Sequence, residues 1–173
     1  QHMIDEIMEY NRKFVENKGY EPYLTSKYPD KKLAILTCMD TRLLELLPAA
    51  LGIKNGDAKI IKNAGGVIVH PYGSVVRSLL VGILELGVEE VMVIGHTDCG
   101  VQGMDGSEML DMLVERGIDQ QHIDIVRHSG IDLERWLGGF ESVESSVHET
   151  VRRLKEHPLM PKDVRISGFI MDS

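Results

Sequence analysis

Short apolar runs alternate with amphipathic segments along this sequence, and that alternation constrains the fold more than any other feature. Four runs have the length and composition of β-strands: Leu33–Thr37, Ala58–Ile61, Glu90–Ile94 and Val164–Met171. Segments with helical spacing of apolar residues precede or separate them: Ile4–Asn17, Thr41–Leu51, Ser74–Leu86, Ser107–Arg116, Gln120–His128 and Ser142–Glu156. Strands that are joined through helices form parallel βαβ units. The sequence therefore predicts an α/β fold with a central, mostly parallel β-sheet flanked by helices.

Cap residues and chain length complete this prediction. Ser74 is the expected N-cap of the third helical segment, and Gly87 is its expected stop. We expect residues 1–173 to form a single domain, in which residues 1–2 are a cloning remnant and residues 3–32 form an N-terminal helical arm. Because this arm has an apolar face and no second domain to cover it, we expect it to pack on a partner subunit.

Charge and hydropathy exclude two classes of partner. The net charge of −8, without any basic run, argues against a protein that binds nucleic acid through its phosphates. The longest apolar stretches are too short to span a bilayer, and no signal peptide is visible. We therefore expect a cytoplasmic protein that has neither a nucleic-acid partner nor a membrane partner.

Both cysteines of the chain follow predicted strands. Cys38 comes after the first strand, and Cys99 comes shortly after the third, with His96 in the same loop. The carboxyl ends of parallel strands meet at one edge of a sheet, so these two loops should converge. With Asp40 they offer two thiolates, an imidazole and a carboxylate, which is a ligand set that Zn²⁺ prefers. Two ordinary buried thiols, or one disulfide, remain the alternatives on cysteine count alone.

Three motifs then make the chain similar to a known family. Thr37–Arg42 matches Cys-x-Asp-Ser/Thr-Arg, Lys62–Gly65 resembles Arg-Asn-Ala-Gly, and Gly95–Gly100 matches Gly-His-x-x-Cys-Gly. Their order and spacing are those of the β-class carbonic anhydrases, and the clear match runs from about residue 33 to residue 103. The chain most resembles the short bacterial branch of this family, which has a compact N-terminal arm.

The resemblance implies an activity and an assembly. It implies that Cys38, His96 and Cys99 hold Zn²⁺, that Asp40 pairs with Arg42, and that the substrates are CO₂ and bicarbonate. It also implies a homodimer or a higher multiple of dimers, with each active site near a subunit interface.

The chemistry of the same residues fits that activity. Zinc lowers the pKa of a bound water and generates hydroxide, the nucleophile that CO₂ needs. Two thiolates cancel the charge of the ion, so we expect a less acidic water than at a three-histidine site and activity that rises above pH 7. Asp40 either becomes the fourth zinc ligand or turns to Arg42 and leaves that position to water. We hypothesise that low pH favours the closed state and high pH the open one.

The loop at residues 63–66 and Asp98 each have two roles open to them by sequence. Gly65 and Gly66 allow close approach of backbone to the pocket, so Asn63, Gly65 and Gly66 are candidate substrate contacts, although a tight turn explains them equally well. Asp98 either supports the metal site or caps the next segment. The remaining histidines after the arm have no such partners, and we interpret them as structural or surface residues: His70, His122, His128, His148 and His157.

Two departures from the family pattern affect substrate contacts and chain length. Plant-type members have a glutamine ahead of the first strand, whereas this chain has Lys27-Tyr28-Pro29 near that place. The family usually continues beyond the last strand, so we expect a disordered or truncated tail after Ser173.

Three other functions fit the same residues. A hydrolase of carbonyl sulfide or carbon disulfide would use the same metal set. A non-catalytic, regulatory zinc-binding protein would have a closed site, but such a site has no need of Arg42 as a competitor for its ligand. A thiol redox protein is the weakest alternative, because redox cysteines are usually close in sequence, as in Cys-x-x-Cys.

Overall fold

The structure of the protein is a computed structural model that describes residues 2–173. Gln1, half of the expected cloning remnant, lies outside the described residues. The strands are β1 (Leu33–Cys38), β2 (Ala58–Asn63), β3 (Glu90–His96) and β4 (Arg165–Met171). The helices are α1 (Met3–Glu16), α2 (Leu43–Leu51), α3 (Ser74–Glu85), α4 (Gly106–Glu115), α5 (Gln120–His128), α6 (Leu133–Leu137) and α7 (Val143–Glu156), with a short 3-10 helix at Glu21–Tyr23.

The four strands form one sheet in the order β2-β1-β3-β4, and every neighbouring pair is parallel. The predicted α/β fold with a sheet flanked by helices is therefore confirmed. The central strand β1 is paired on both sides, and its residues are buried from Ala34 to Cys38. A strand buried on both faces needs apolar residues at successive positions, which is why this segment is a continuous apolar run.

Two apolar cores cover the faces of the sheet. Ala34 and Leu36 of β1 contribute to one core, which includes Leu79 of α3 and Leu154 of α7. Ile35, between them in sequence, contributes to the other core. This alternation follows from the two-residue period of a strand. A third, smaller cluster joins helices α4, α5 and α6 outside the sheet: Leu110, Ile123 and Leu133.

Two details of the helices differ from the sequence prediction, and one agrees with it. Gly73, not Ser74, is the N-cap of α3, and its extended backbone begins the helix without a side-chain cap. Gly87 does follow the end of α3 and has a φ of 77°, a left-handed conformation suited to glycine. Helix α6 was not predicted, because five residues are too few to show helical periodicity; the side chain of Asp132 caps its first turn by accepting from the backbone N–H of Arg135.

Helix α1 lies on the surface and has no buried residue. Most of its apolar side chains are more than half exposed, for example Met3, Ile4 and Ile7. This agrees with the predicted helical arm, while the extent of the domain stays a prediction. Across residues 2–173, no helix combines the length and the apolar character needed to cross a membrane.

Candidate metal centre

The carboxyl ends of β1 and β3 bring the predicted ligands together. Cys38 is the last residue of β1, and His96 is the last residue of β3. The two strands are direct parallel neighbours, with Thr37 opposite Ile94. The buried hydroxyl of Thr37 donates to the carbonyl oxygen of Ile94 over 2.8 Å and fixes the strand ends relative to each other. The predicted convergence of the two loops therefore occurs.

Cys38, His96 and Cys99 form a compact, buried cluster. One ligand atom from each lies within 4.8 Å of the others, and the two sulfur atoms are 3.9 Å apart. The residues are only 4%, 1% and 6% exposed, respectively. Both cysteines are free thiols rather than a disulfide. The cluster has the donor types and the spacing needed to hold a metal ion.

The imidazole of His96 has one satisfied nitrogen and one unsatisfied nitrogen. Its Nδ1 lies 2.8 Å from the carbonyl oxygen of Thr97, and because a carbonyl only accepts, Nδ1 carries the proton. The Nε2 atom is buried and has no hydrogen-bond partner among residues 2–173. Leaving a buried polar atom unpaired costs about 1–3 kcal/mol. A bare Nε2 lone pair beside two thiols therefore fits a metal ion as the missing partner.

Burial also acts on the thiol of Cys99. Removal from water raises the pKa of this thiol above its usual value, and the nearby Cys38 adds to the increase, while the backbone N–H of Val101 opposes it. The Cys99 thiol in this position therefore resists ionisation without a nearby cation. A bound divalent ion would stabilise both thiolates and reverse the effect.

Asp40 is held at the edge of the cluster by Arg42. The guanidinium donates to both carboxylate oxygens, from Nε to Oδ1 over 3.0 Å and from a terminal nitrogen to Oδ2 over 2.9 Å. The backbone N–H of Arg42 also donates to Oδ1 over 2.8 Å. These bonds hold the pKa of Asp40 well below its usual range, so the carboxylate is charged at neutral pH. Its Oδ2 lies 3.8 Å from Nε2 of His96.

Arg42 also contacts the loop that contains the other ligands. It donates to the backbone oxygen of Asp98 over 2.7 Å and to the Asp98 carboxylate over 3.1 Å. Asp98 has a φ of 51°, a left-handed conformation that aspartate tolerates better than most residues. Of the two roles open to Asp98, its contacts therefore favour support of the site, through Arg42.

The loop after β2 packs against the end of β1. The amide of Asn63 is occupied within its own loop, where it accepts from the N–H of Val67 over 3.0 Å and donates to the oxygen of Val67 over 2.6 Å. Its backbone oxygen accepts from the N–H of Met39 over 2.8 Å. The predicted close approach of Gly66 is real, but the atoms it approaches are backbone atoms of Thr37 and Cys38. A role of this loop in contacting substrate stays a prediction.

Two residues outside the cluster, His157 and Thr97, have structural roles. His157 is buried and structural, as its Nε2 bonds to the carbonyl oxygen of Pro71 over 2.7 Å. Thr97 was not singled out by sequence, although its carbonyl oxygen fixes the His96 ring. No sequence signal pointed to it, because the contact is made by its backbone.

Comparison with known proteins agrees with the site geometry. The family model described as carbonic anhydrase matches residues 33–171. A Bacillus subtilis (strain 168) protein named "Putative carbonic anhydrase YvdA" is 52% identical over 168 residues, covering 97% of this chain and 85% of that protein. A carbon disulfide hydrolase of Acidithiobacillus thiooxidans is 30% identical over 155 residues, covering 83% of this chain and 69% of that protein.

The fold is also shared with a solved structure of high coverage. The β-carbonic anhydrase isoform I of Trichomonas vaginalis superposes with a TM-score of 0.88 at 34% sequence identity, covering 99% of this chain and 93% of that one. The match extends past the segment that contains the three motifs and includes the helices after the metal centre and strand β4. The chain therefore belongs to the β-carbonic anhydrase family, a family of lyases.

Proposed function

We propose that this protein is a zinc enzyme that interconverts CO₂ with bicarbonate and a proton, and that Cys38, His96 and Cys99 hold the zinc. The observation that carries the proposal is the buried Nε2 of His96, which has no hydrogen-bond partner within residues 2–173 and lies among two free thiols. The names of the relatives indicate the class of substrate, because they include carbonic anhydrases across several organisms.

The donor set favours zinc over harder cations. Thiolate and imidazole ligands suit Zn²⁺, whereas Mg²⁺ and Ca²⁺ need oxygen ligands. Two thiolates bring two negative charges that a divalent ion neutralises, which supports burial of the whole cluster at 1–6% exposure. A three-residue set leaves a coordination position for water or for Asp40, as in catalytic rather than structural zinc sites.

The residues around the cluster define the rest of the mechanism. When bound, zinc would supply a water of lowered pKa as the nucleophile for CO₂. Asp40 stays ionised because Arg42 donates to both of its carboxylate oxygens. Its Oδ2, 3.8 Å from Nε2 of His96, is close enough to the ligand atoms to accept a hydrogen bond from the reacting water and to orient it. Asp40 and Arg42 are thus the proposed catalytic pair.

Asp40 and Arg42 also support a proposed gate, in which Asp40 either stays bonded to Arg42 (open) or becomes the fourth metal ligand (closed). Three hydrogen bonds from Arg42 hold Asp40, and in the open arrangement they would keep its carboxylate from ligating a bound metal. A closed arrangement requires Asp40 to exchange those bonds for one to the metal. We propose that low pH favours the closed arrangement and high pH the open one. An Asp40 position that is independent of pH in zinc-loaded crystals would contradict this gating.

We further propose that the protein acts as a homodimer, or a multiple of dimers, in the cytoplasm. The exposed apolar side chains of α1, including Met3, Ile4 and Ile7, support a partner subunit, because large apolar surfaces of soluble proteins are usually covered. Two free thiols with no disulfide among residues 2–173 are compatible with a reducing compartment. Sedimentation at several protein concentrations would measure the mass, and a monomer throughout would contradict the assembly.

Hydrolysis of carbon disulfide or carbonyl sulfide is the second candidate, because four of the relatives are named carbon disulfide hydrolases at 30–32% identity. The zinc ligands would be the same, so access to the pocket decides between the substrates. A non-catalytic zinc protein is disfavoured by Arg42, which would have no reason to hold a fourth ligand away from the metal.

The test is CO₂ hydration by stopped flow with zinc-loaded protein at about pH 7 and about pH 8.5, two values that bracket the expected ionisation of the nucleophile. We expect activity that rises with pH and that falls at least about a hundredfold in Asp40→Ala and Arg42→Ala with zinc retained. Asp111→Ala, which removes an exposed carboxylate of α4, is the matched control and should be unchanged.

Two other results would count against the proposal. Stoichiometric zinc without CO₂ hydration at either pH, together with release of hydrogen sulfide from carbon disulfide, would establish the second candidate instead. Absence of zinc binding by reduced protein would remove the basis of both candidates.

A further inference from the structure

Thr97 is the first residue after β3, and it is bonded to the residues that follow β4. Its backbone N–H donates to the oxygen of Met171 over 2.9 Å, which extends the pairing of the two strands by one residue. Its hydroxyl donates to Oδ1 of Asp172 over 2.9 Å and accepts from the backbone N–H of Ser173 over 2.9 Å. We call the contacts of Thr97 with Asp172 and Ser173 the Thr97 clasp.

The clasp also includes the carbonyl oxygen that the zinc ligand uses. The hydroxyl of Ser173 donates to the oxygen of Thr97 over 2.6 Å. The same oxygen accepts from Nδ1 of His96 over 2.8 Å. A carbonyl oxygen has two lone pairs, and here both are engaged. Bonds of the Thr97 hydroxyl, bonds to the Thr97 carbonyl oxygen and the pairing with β4 therefore hold the peptide group between residues 97 and 98 in place.

We propose that the Thr97 clasp is a positioning device for the metal ligand: by holding the carbonyl of Thr97 against Nδ1 of His96, it keeps the imidazole in the tautomer that leaves Nε2 free to bind zinc. The inference rests on the proposed zinc site. Thr97, Asp172 and Ser173 are positioning residues: they act through Nδ1 of His96 and supply no metal ligand atom themselves.

The need for such a device follows from the local backbone. A neutral imidazole protonated on Nε2 offers no lone pair at that atom, so it cannot bind a metal there. Only the carbonyl of Thr97 selects the other tautomer among the contacts of this ring within residues 2–173. Asp98, the next residue, has a φ of 51°, so the peptide that carries this carbonyl lies beside a conformation of higher energy. Without the clasp, that peptide would rotate more freely.

The first experiment compares Thr97→Val with Thr97→Ser. Valine has nearly the same shape but no hydroxyl, so it removes every hydrogen bond of the side chain to Asp172 and Ser173, whereas serine keeps the hydroxyl that makes them. We expect the zinc dissociation constant, measured by competition with a chromophoric chelator in reducing buffer, to rise about tenfold in Thr97→Val. In Thr97→Ser it should return to within about twofold of the native value.

A second readout does not depend on metal. The ¹⁵N chemical shifts of the His96 ring in metal-free protein distinguish the two neutral tautomers. We expect Nδ1–H alone in the native protein and in Thr97→Ser, and a measurable fraction of Nε2–H in Thr97→Val. Ser173→Ala, a change at an exposed position that cannot disturb the core, should raise the zinc dissociation constant about threefold through loss of one hydrogen bond.

These measurements separate the clasp from the proposed function. Native protein that binds no zinc would contradict the zinc enzyme, and the tautomer comparison would still decide the clasp. A folded Thr97→Val or Ser173→Ala protein with native zinc affinity and with only the Nδ1–H tautomer would overturn the clasp, while leaving the zinc site in place.

Discussion

Substitution of Gly66 by alanine tests how the loop after β2 supports the metal centre. A Cβ atom at this position would lie 2.8 Å from the carbonyl carbon of Thr37 and 3.0 Å from the backbone nitrogen of Cys38. Both are backbone atoms of the buried central strand, so neither can rotate away as a flexible side chain would. Gly66 also has a φ of 63°, which L-residues other than glycine rarely adopt.

The cost of the left-handed backbone conformation and the cost of the steric contact with β1 can be estimated separately. The left-handed backbone conformation costs an alanine about 1–2 kcal/mol. Forcing an extra methyl group against packed backbone costs a further amount of about 1–3 kcal/mol. We therefore expect Gly66→Ala to lower the free energy of unfolding by about 2–5 kcal/mol, the sum of the two.

Gly52 provides a matched control for the first effect. Its φ is 66°, almost the same as that of Gly66, but a Cβ atom there would have no neighbour within 4 Å. Gly52→Ala should therefore lower the free energy of unfolding by only about 1–2 kcal/mol. Urea denaturation of both variants at one protein concentration measures the difference, since concentration matters if the protein is a dimer.

Zinc retention should be affected in the same order, more in Gly66→Ala than in Gly52→Ala. Gly66 packs on the peptide that leads into Cys38, so its replacement should displace the thiol and weaken zinc retention, while Gly52→Ala should retain zinc as the native protein does. Equal losses of unfolding free energy in the two variants, or equal zinc retention, would refute the idea that close approach of this loop to β1 supports the site.

Three further predictions concern single side chains. Cys99→Ser should weaken zinc binding by more than about a hundredfold, beyond the loss expected for a residue that only supports a ligand, as measured by chelator competition. Asp98→Asn should change CO₂ hydration less than about fivefold, because an exposed ion pair contributes at most about 1 kcal/mol and Asp98 keeps its backbone bond to Arg42. Hydrogen bonds from Arg152 and Arg153 lower the pKa of Glu149 from its ordinary value of 4.5 to about 2. Its ionised form therefore stabilises the fold above pH 4.5, and this contribution is lost as pH falls toward 2. Glu149→Gln should therefore lower the unfolding midpoint at pH 7 and approach the native midpoint only as pH falls toward 2. A difference that stays constant from pH 7 to pH 2 would contradict the assignment.

The convergence of Cys38, His96 and Cys99 was predictable because these residues lie at or just after the ends of strands. The apolar run before Cys38 and the apolar run before His96 identified two strands, and parallel topology then placed their carboxyl ends side by side. Helix boundaries were less predictable. Gly73 begins α3 through its backbone alone, and α6 is too short for a periodic pattern to be visible.

Two kinds of contact around the site could not be predicted from the sequence: bonds to backbone atoms, and bonds between residues far apart in the chain. The bond from Arg42 to the backbone oxygen of Asp98 depends on a left-handed residue, which no composition rule assigns to an aspartate in a loop. The bonds of Thr97 to Asp172 and Ser173 join residues 75 and 76 positions apart, and they exist only because β3 and β4 pair in one register. The residue types and strand ends predicted which ligands lie close together. The pairing register of β3 and β4 determines which residues hold those ligands in position.

Arg42 donates hydrogen bonds to both Asp40 and Asp98, and this arrangement bears on the proposed gate. If Asp40 left the guanidinium for a bound metal, Arg42 would lose its side-chain bonds to that carboxylate. It would keep its bonds to the backbone oxygen and the carboxylate of Asp98, which do not involve Asp40. In the proposed gate Asp40 would therefore move between two sets of positive partners while Arg42 stays in place. On this reasoning the gate would exchange one set of charge-assisted bonds for another, and Asp98 would keep Arg42 in position during the exchange.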